Sequence, residues 1–134
     1  MARTLVEAFG DVETMQKLYD DDIVWYMSKS LGPIAGPYEG RDAVIAFNNR
    51  VWGKFYLPDV QVEILDDVGN EETSAVRFIY SATMARSEKV YKLEYTLFAR
   101  AKNGKLTEVF EGMDTLGSAN LFADKPLDLN PYIG

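Results

Sequence analysis

The hydrophobic period of this chain changes once, near Pro58-Asp59, and that change limits the folds open to it. Before it, apolar residues recur three or four apart, as on one face of a helix; after it, they alternate in twos, as on strands. Thr4 to Phe9 reads as a short helix stopped at Gly10. Asp11 caps a second, Val12 to Tyr19, with Val12, Met15, Leu18 and Tyr19 on one face. The acidic run Asp20-Asp21-Asp22 breaks that helix ahead of a short β-branched and aromatic strand, Ile23-Val24-Trp25-Tyr26. Ser28 to Gly40, with its two Gly-Pro pairs, is a loop. Asp42 caps a third helix to about Trp52, with Ala43, Val44, Phe47, Val51 and Phe55 as its apolar face.

Beyond Pro58 lie four strands: Val60 to Asp66, Thr73 to Ala85, Lys89 to Ala101 and Lys105 to Met113. Gly69-Asn70 marks the first turn. Asn103-Gly104 is the strongest hairpin signal, because both residues tolerate the positive φ of a type I′ turn. Leu116 to Phe122 is a short helix or turn. Helices followed by a meander make an α+β plan, with the helices on one face of an antiparallel sheet. A parallel dinucleotide-binding sheet is disfavoured, since helices do not alternate with the long strands and no Gly-x-Gly-x-x-Gly occurs.

Two residue types are missing, and their absence narrows the chemistry. The 134 residues contain no cysteine and no histidine. Without histidine, the commonest base near neutral pH and the commonest metal ligand are both gone. Proton transfer falls to carboxylates, tyrosine or lysine, and no metal or cofactor is expected. A net charge of -7 argues against nucleic-acid binding. No apolar run reaches membrane-spanning length and no leader is read, so a cytoplasmic location is the default expectation.

Strand parity indicates what faces inward. On the third long strand Tyr91, Leu93, Tyr95, Leu97 and Ala99 share the apolar face, and on the fourth Val109, Glu111 and Met113 share one face. An inward glutamate between valine and methionine has its pKa raised unless a donor or cation compensates. Glu111 therefore reads either as a proton-transfer group or as a glutamate paired with arginine or solvated at a sheet edge. On the second strand Val76, Phe78, Tyr80, Ala82 and Met84 form the more apolar face, which leaves Arg77 for a cross-strand ion pair or a ligand oxyanion. Trp25, Tyr26, Tyr38 and Trp52 are either walls of a ligand pocket or ordinary core. Phe98 and Phe110 fall on the outer face, where pairing with a second copy would bury them.

The segments Gly10-Asp11-Val12-Glu13, Leu18 to Trp25, Tyr38-Glu39-Gly40-Arg41-Asp42-Ala43-Val44, Phe98-Ala99-Arg100, Asn103-Gly104-Lys105-Leu106 and Glu111-Gly112-Met113-Asp114, with Tyr91, have a familiar order and spacing. Over about residues 3–122 the chain resembles the NTF2-like superfamily, and within it the SnoaL-like branch of polyketide cyclases and ketosteroid isomerase relatives. The resemblance implies an NTF2-like cone: a strongly curved, mostly antiparallel sheet packed on N-terminal helices, dimeric through its outer face. It implies one domain over 1–134, with 123–134 an extended C-terminal tail.

Positions carried over from the family test its branches. Where ketosteroid isomerases place an oxyanion tyrosine and a general-base aspartate, this chain has Arg3 and a position near Met27, which speaks against steroid isomerisation. Glu111 falls at or next to the acid–base carboxylate of SnoaL-like cyclases, while Val109 and Leu93 replace polar pocket residues. Two functions follow. One is an isomerase, cyclase or hydrolase acting on a small hydrophobic cyclic or polyketide-like molecule, with Glu111 moving the proton and Tyr26 or Tyr91 donating to the oxyanion. Its pocket would comprise Trp25, Tyr38, Trp52, Leu93, Tyr95, Val109 and Met113. The other is a non-catalytic binding or dimeric scaffolding domain.

Overall fold

The structure is a computed structural model and describes residues 1–125; most of the segment read as a tail, 126–134, lies outside the described residues. Two short helices open the chain, α1 (Ala2–Glu7) and α2 (Val12–Gln16), the second capped by Asp11, whose side chain accepts from the Thr14 amide. Next come β1 (Tyr19–Met27), a 3-10 segment over Lys29–Ala35, β2 (Tyr38–Glu39) and α3 (Arg41–Arg50). A π-helical turn (Val51–Phe55) extends α3 directly. The strands β3 (Gln61–Gly69), β4 (Thr73–Thr83), β5 (Val90–Lys102) and β6 (Lys105–Met113) precede α4 (Thr115–Phe122).

One six-stranded sheet carries the fold, in the order β2-β1-β6-β5-β4-β3. Among the described residues four of its five pairings are antiparallel; β1 and β6 run parallel. The strongly curved cone is corrected: this mixed sheet is open, neither closed nor strongly curled. Its edges, the two-residue β2 and β3, pair only inward, with β1 and β4. Register shifts in β1, β3 and the β5–β6 pair bend strands locally without bringing the edges together.

Several boundaries also move. The acidic run does not end α2 but sits inside β1, where the ladder to β6 slips between Tyr19 and Val24 and Asp21 and Asp22 stay exposed. Strand β3 runs three residues past Asp66, because Asp66, Asp67 and Val68 pair with Arg77, Val76 and Ala75. Gly40, not Asp42, is the α3 cap. Asn103 and Gly104 do take the positive φ of the expected tight turn, 52° and 76°.

The core lies on the inner sheet face, beneath α1 and α3. Ile23, Trp25, Phe78, Leu97, Leu106 and Val109 are fully buried there with Leu5, Val6 and Val44. Each such large aliphatic or aromatic side chain contributes about 1.5–3 kcal/mol. Phe9 links the layers, its ring 4.9 Å from Trp52 and 5.8 Å from Phe78. On the outer face Arg77 bonds Asp66 and Glu94 in a solvated cross-strand cluster. No helix among the described residues is long and apolar enough to cross a membrane.

Candidate active site

Where α3 leaves the sheet, its last turn widens. The Tyr56 amide reaches back five residues to the Val51 carbonyl, 3.0 Å away. The wider turn lets Val51, Trp52, Phe55 and Tyr56 all face one cavity of about 650 Å³. Tyr80 of β4, Tyr91 and Tyr95 of β5, and Glu111 and Met113 of β6 also line it, with Phe9, Tyr38, Phe47 and the inner side of α4. This size suits a drug-sized ligand. Beside the mouth, Gly36 holds φ 84°, and a Cβ there would stand 3.0 Å from the Trp25 carbonyl oxygen, so the chain turns this tightly only with glycine.

Glu111 is only 7% exposed. Its Oε1 accepts a hydrogen bond from the Trp25 indole Nε1 at 2.7 Å. The parallel β1–β6 ladder makes this contact possible, since it sets Trp25 beside Val109 and Met27 beside Glu111. Burial pushes the carboxyl up to about 7, and the Trp25 N–H, which favours the charged form, partly opposes that rise. Glu111 is therefore divided between acid and base near neutrality, the condition for two-way proton transfer.

Three hydroxyls also meet at the cavity. Tyr91 Oη lies 2.5 Å from Tyr95 Oη and 3.0 Å from Ser118 Oγ of α4. Two hydrogen bonds use two of the three protons and leave one to donate outward. Burial pushes Tyr91, Tyr95, Tyr56 and Tyr80 above the ordinary phenol value, so all stay protonated donors. Across the cavity the Trp52 indole N–H donates to Tyr80 Oη at 2.9 Å. Among the described residues no cluster of three or more acidic side chains is placed to hold a metal ion.

Of the residues expected at this site, Glu111, Tyr91, Tyr95, Tyr38, Trp52 and Met113 come together. Tyr26 does not, and its expected place is corrected. Neighbours on a strand face opposite ways; Trp25 points inward, so Tyr26 points outward, where its hydroxyl donates to Glu108 at 2.8 Å and its ring meets Phe110. Trp25 and Val109 are wholly buried behind the wall, and Leu93 also stands outside the lining. Ser118, Tyr56 and Arg50 reach the cavity unforeseen. Two of these left a trace in the sequence: Tyr56 is an aromatic residue just ahead of Pro58, and Arg50 is a cation in a stretch without acids.

The sequence profile of the SnoaL-like domain matches residues 2–109, which takes in every element from α1 to most of β6 and stops just short of Glu111. The chain is a SnoaL-like domain of the NTF2-like superfamily. Similar structures include an NTF2-like protein of unknown function from Burkholderia pseudomallei K96243, at 21% identity and TM-score 0.74, with 89% of this chain and 92% of that one covered. A proposed isomerase from Rhodopseudomonas palustris has 21% identity and TM-score 0.73, with 90% of each chain covered. A proposed SnoaL-like polyketide cyclase from Jannaschia sp. CCS1 has 14% identity and TM-score 0.75, with 92% of each covered. At such identities the likeness establishes the fold of this SnoaL-like domain and not its reaction. No curated protein matches the sequence.

Proposed function

We propose that this SnoaL-like domain is an acid–base enzyme of isomerase, cyclase or hydrolase type, acting on a small hydrophobic cyclic or polyketide-like molecule. The observation that carries the reading is Glu111: a buried carboxyl at about 7, facing an aromatic cavity and held by one indole N–H. As carboxylate it removes a proton from carbon beside a substrate carbonyl. The spare proton of the Tyr95–Tyr91–Ser118 chain hydrogen-bonds the enolate oxygen as its charge develops. The protonated Glu111 then returns its proton at a second carbon or to a leaving oxygen, which restores the enzyme. Trp52 and Tyr38 supply flat surface for rings.

The proposal includes a homodimer formed through the outer sheet face, where Phe98 is 51% exposed. Activity is tested by screening cyclic enones, epoxides and β-dicarbonyls, then comparing the wild type with Glu111→Gln on any substrate found. The substitution keeps shape and hydrogen-bonding reach but cannot carry a proton, so turnover falls roughly 10²–10⁴-fold. Unchanged turnover removes Glu111 from the chemistry. If no substrate class reacts while an apolar ligand still protects the domain against heat, the site binds without catalysing.

A further inference from the structure

Between Asp42 and Asp59 the chain carries only two charged side chains, Arg50 and Lys54, both positive, in a protein of net charge -7. Arg50 closes α3, where the helix dipole favours a cation. That does not account for its place at the cavity, which among the described residues it lines as the sole basic side chain, with Glu111 as the sole acid. Its guanidinium carbon stands 6.0 Å from the centroid of the Tyr38 ring. Tyr38 stacks on Phe47 at 4.1 Å and donates its hydroxyl proton to the Ile34 carbonyl at 2.8 Å, so the cation rests on a fixed aromatic stack. Arg3, Arg77 and Arg100 each meet a carboxylate, whereas Arg50 has no ion-pair partner among the described residues.

An exposed guanidinium and a buried carboxyl therefore give the cavity two unlike ends, a cationic rim and an acidic interior, with aromatic walls between them. We infer that the ligand is an organic acid, a flat apolar body within the aromatic chamber whose carboxylate is held by Arg50 at the rim. The guanidinium offers paired N–H donors that match two carboxylate oxygens, which a point charge would not. The aromatic interior offers a carboxylate no cation and little solvation, and the ionised form of Glu111 repels it, so the acid group is kept at the rim and the ring system enters the chamber in one direction. The overall negative charge of the protein does little against this, because its field is screened within about 8 Å at physiological salt. The inference rests on the reading of the cavity as a small-molecule site and adds the ligand's charge and orientation.

Calorimetric titration of the full chain with 2-naphthoate and with 2-naphthamide, probes of matched shape and different charge, tests it. The wild type is expected to bind the acid about tenfold more tightly than the amide, the size of one charge-assisted pair at a partly exposed rim. Arg50→Gln abolishes that preference, and Arg50→Lys retains part of it. Raising salt from about 0.05 M to about 0.5 M reduces the wild-type preference. Equal affinities in the wild type, or a preference that survives Arg50→Gln, overturn the inference and leave the cavity as a site for neutral molecules. Binding of neither probe overturns it together with the small-molecule reading.

Discussion

Glu111 should leave a mark on stability that needs no substrate to observe. Its ordinary pKa is 4.5 and burial pushes it up to about 7 in the folded chain. Between those values the folded state holds a proton that the unfolded state releases, so this group's contribution is fully present below pH 4.5 and is lost as pH rises through 7. The gap, 7 less 4.5, is about 2.5 units; at 1.36 kcal/mol each it amounts to about 3 kcal/mol. Glu111→Gln has no proton to lose there. Relative to the variant, the wild type therefore weakens by about 3 kcal/mol across the window, or roughly 10 °C in melting temperature for a domain of this length. Urea unfolding followed by tryptophan fluorescence, at several pH values from about 4 to about 8.5, measures the difference. Comparing the two proteins at each pH cancels the other carboxylates. A difference that stays constant across the window would refute the raised pKa and, with it, the case for Glu111 as a two-way proton carrier.

Two further outcomes follow from the same geometry. Trp25→Phe removes the N–H that favours the charged carboxyl, so the Glu111 midpoint rises by about a further 1–2 units; a fall in that midpoint, read from the same titration, would contradict the assigned contact. Phe98→Lys places a charge in the middle of the outer sheet face and is expected to turn a dimer into a monomer in sedimentation at micromolar concentration, with the folded spectrum unchanged.

The inner face of β5 is legible because its apolar residues alternate: Tyr91, Tyr95 and Leu97 are buried as parity requires, and the same parity on β6 turns Glu111 inward, whereas β4 buries Ser74, Ala75 and Val76 in a row. On β1, Trp25 and Tyr26 cannot both face the pocket, because adjacent strand residues point to opposite sides, and only Trp25 turns inward. The acidic triplet read as a helix breaker because a ladder slip, set by the partner strand, is invisible in the local sequence. The π turn was equally hidden, since it differs from an α turn by one residue in one hydrogen bond. Strong curvature came from resemblance alone, and no residue pattern demanded it. Arg50 falls outside the apolar face of α3, and the stretch from Ala43 to Pro58 contains no acid to neutralise it, yet periodicity alone does not turn it toward a cavity.

The parallel pairing of β1 with β6 has a consequence for how the protein is made. Trp25 and Glu111 lie 86 positions apart, and the strand bearing the carboxyl is the last of the sheet to leave the ribosome. At roughly 5–20 residues per second, β1 waits on the order of 4–17 s for the neighbour that completes it. During that wait the β1 edge later covered by β6 is unpaired, with Ile23 and Trp25 beside it, the kind of strand that chaperones hold and other chains capture. The carboxyl and the indole that holds it meet only when the sheet is finished, so a chain that ends short of β6 lacks the perturbed acid altogether.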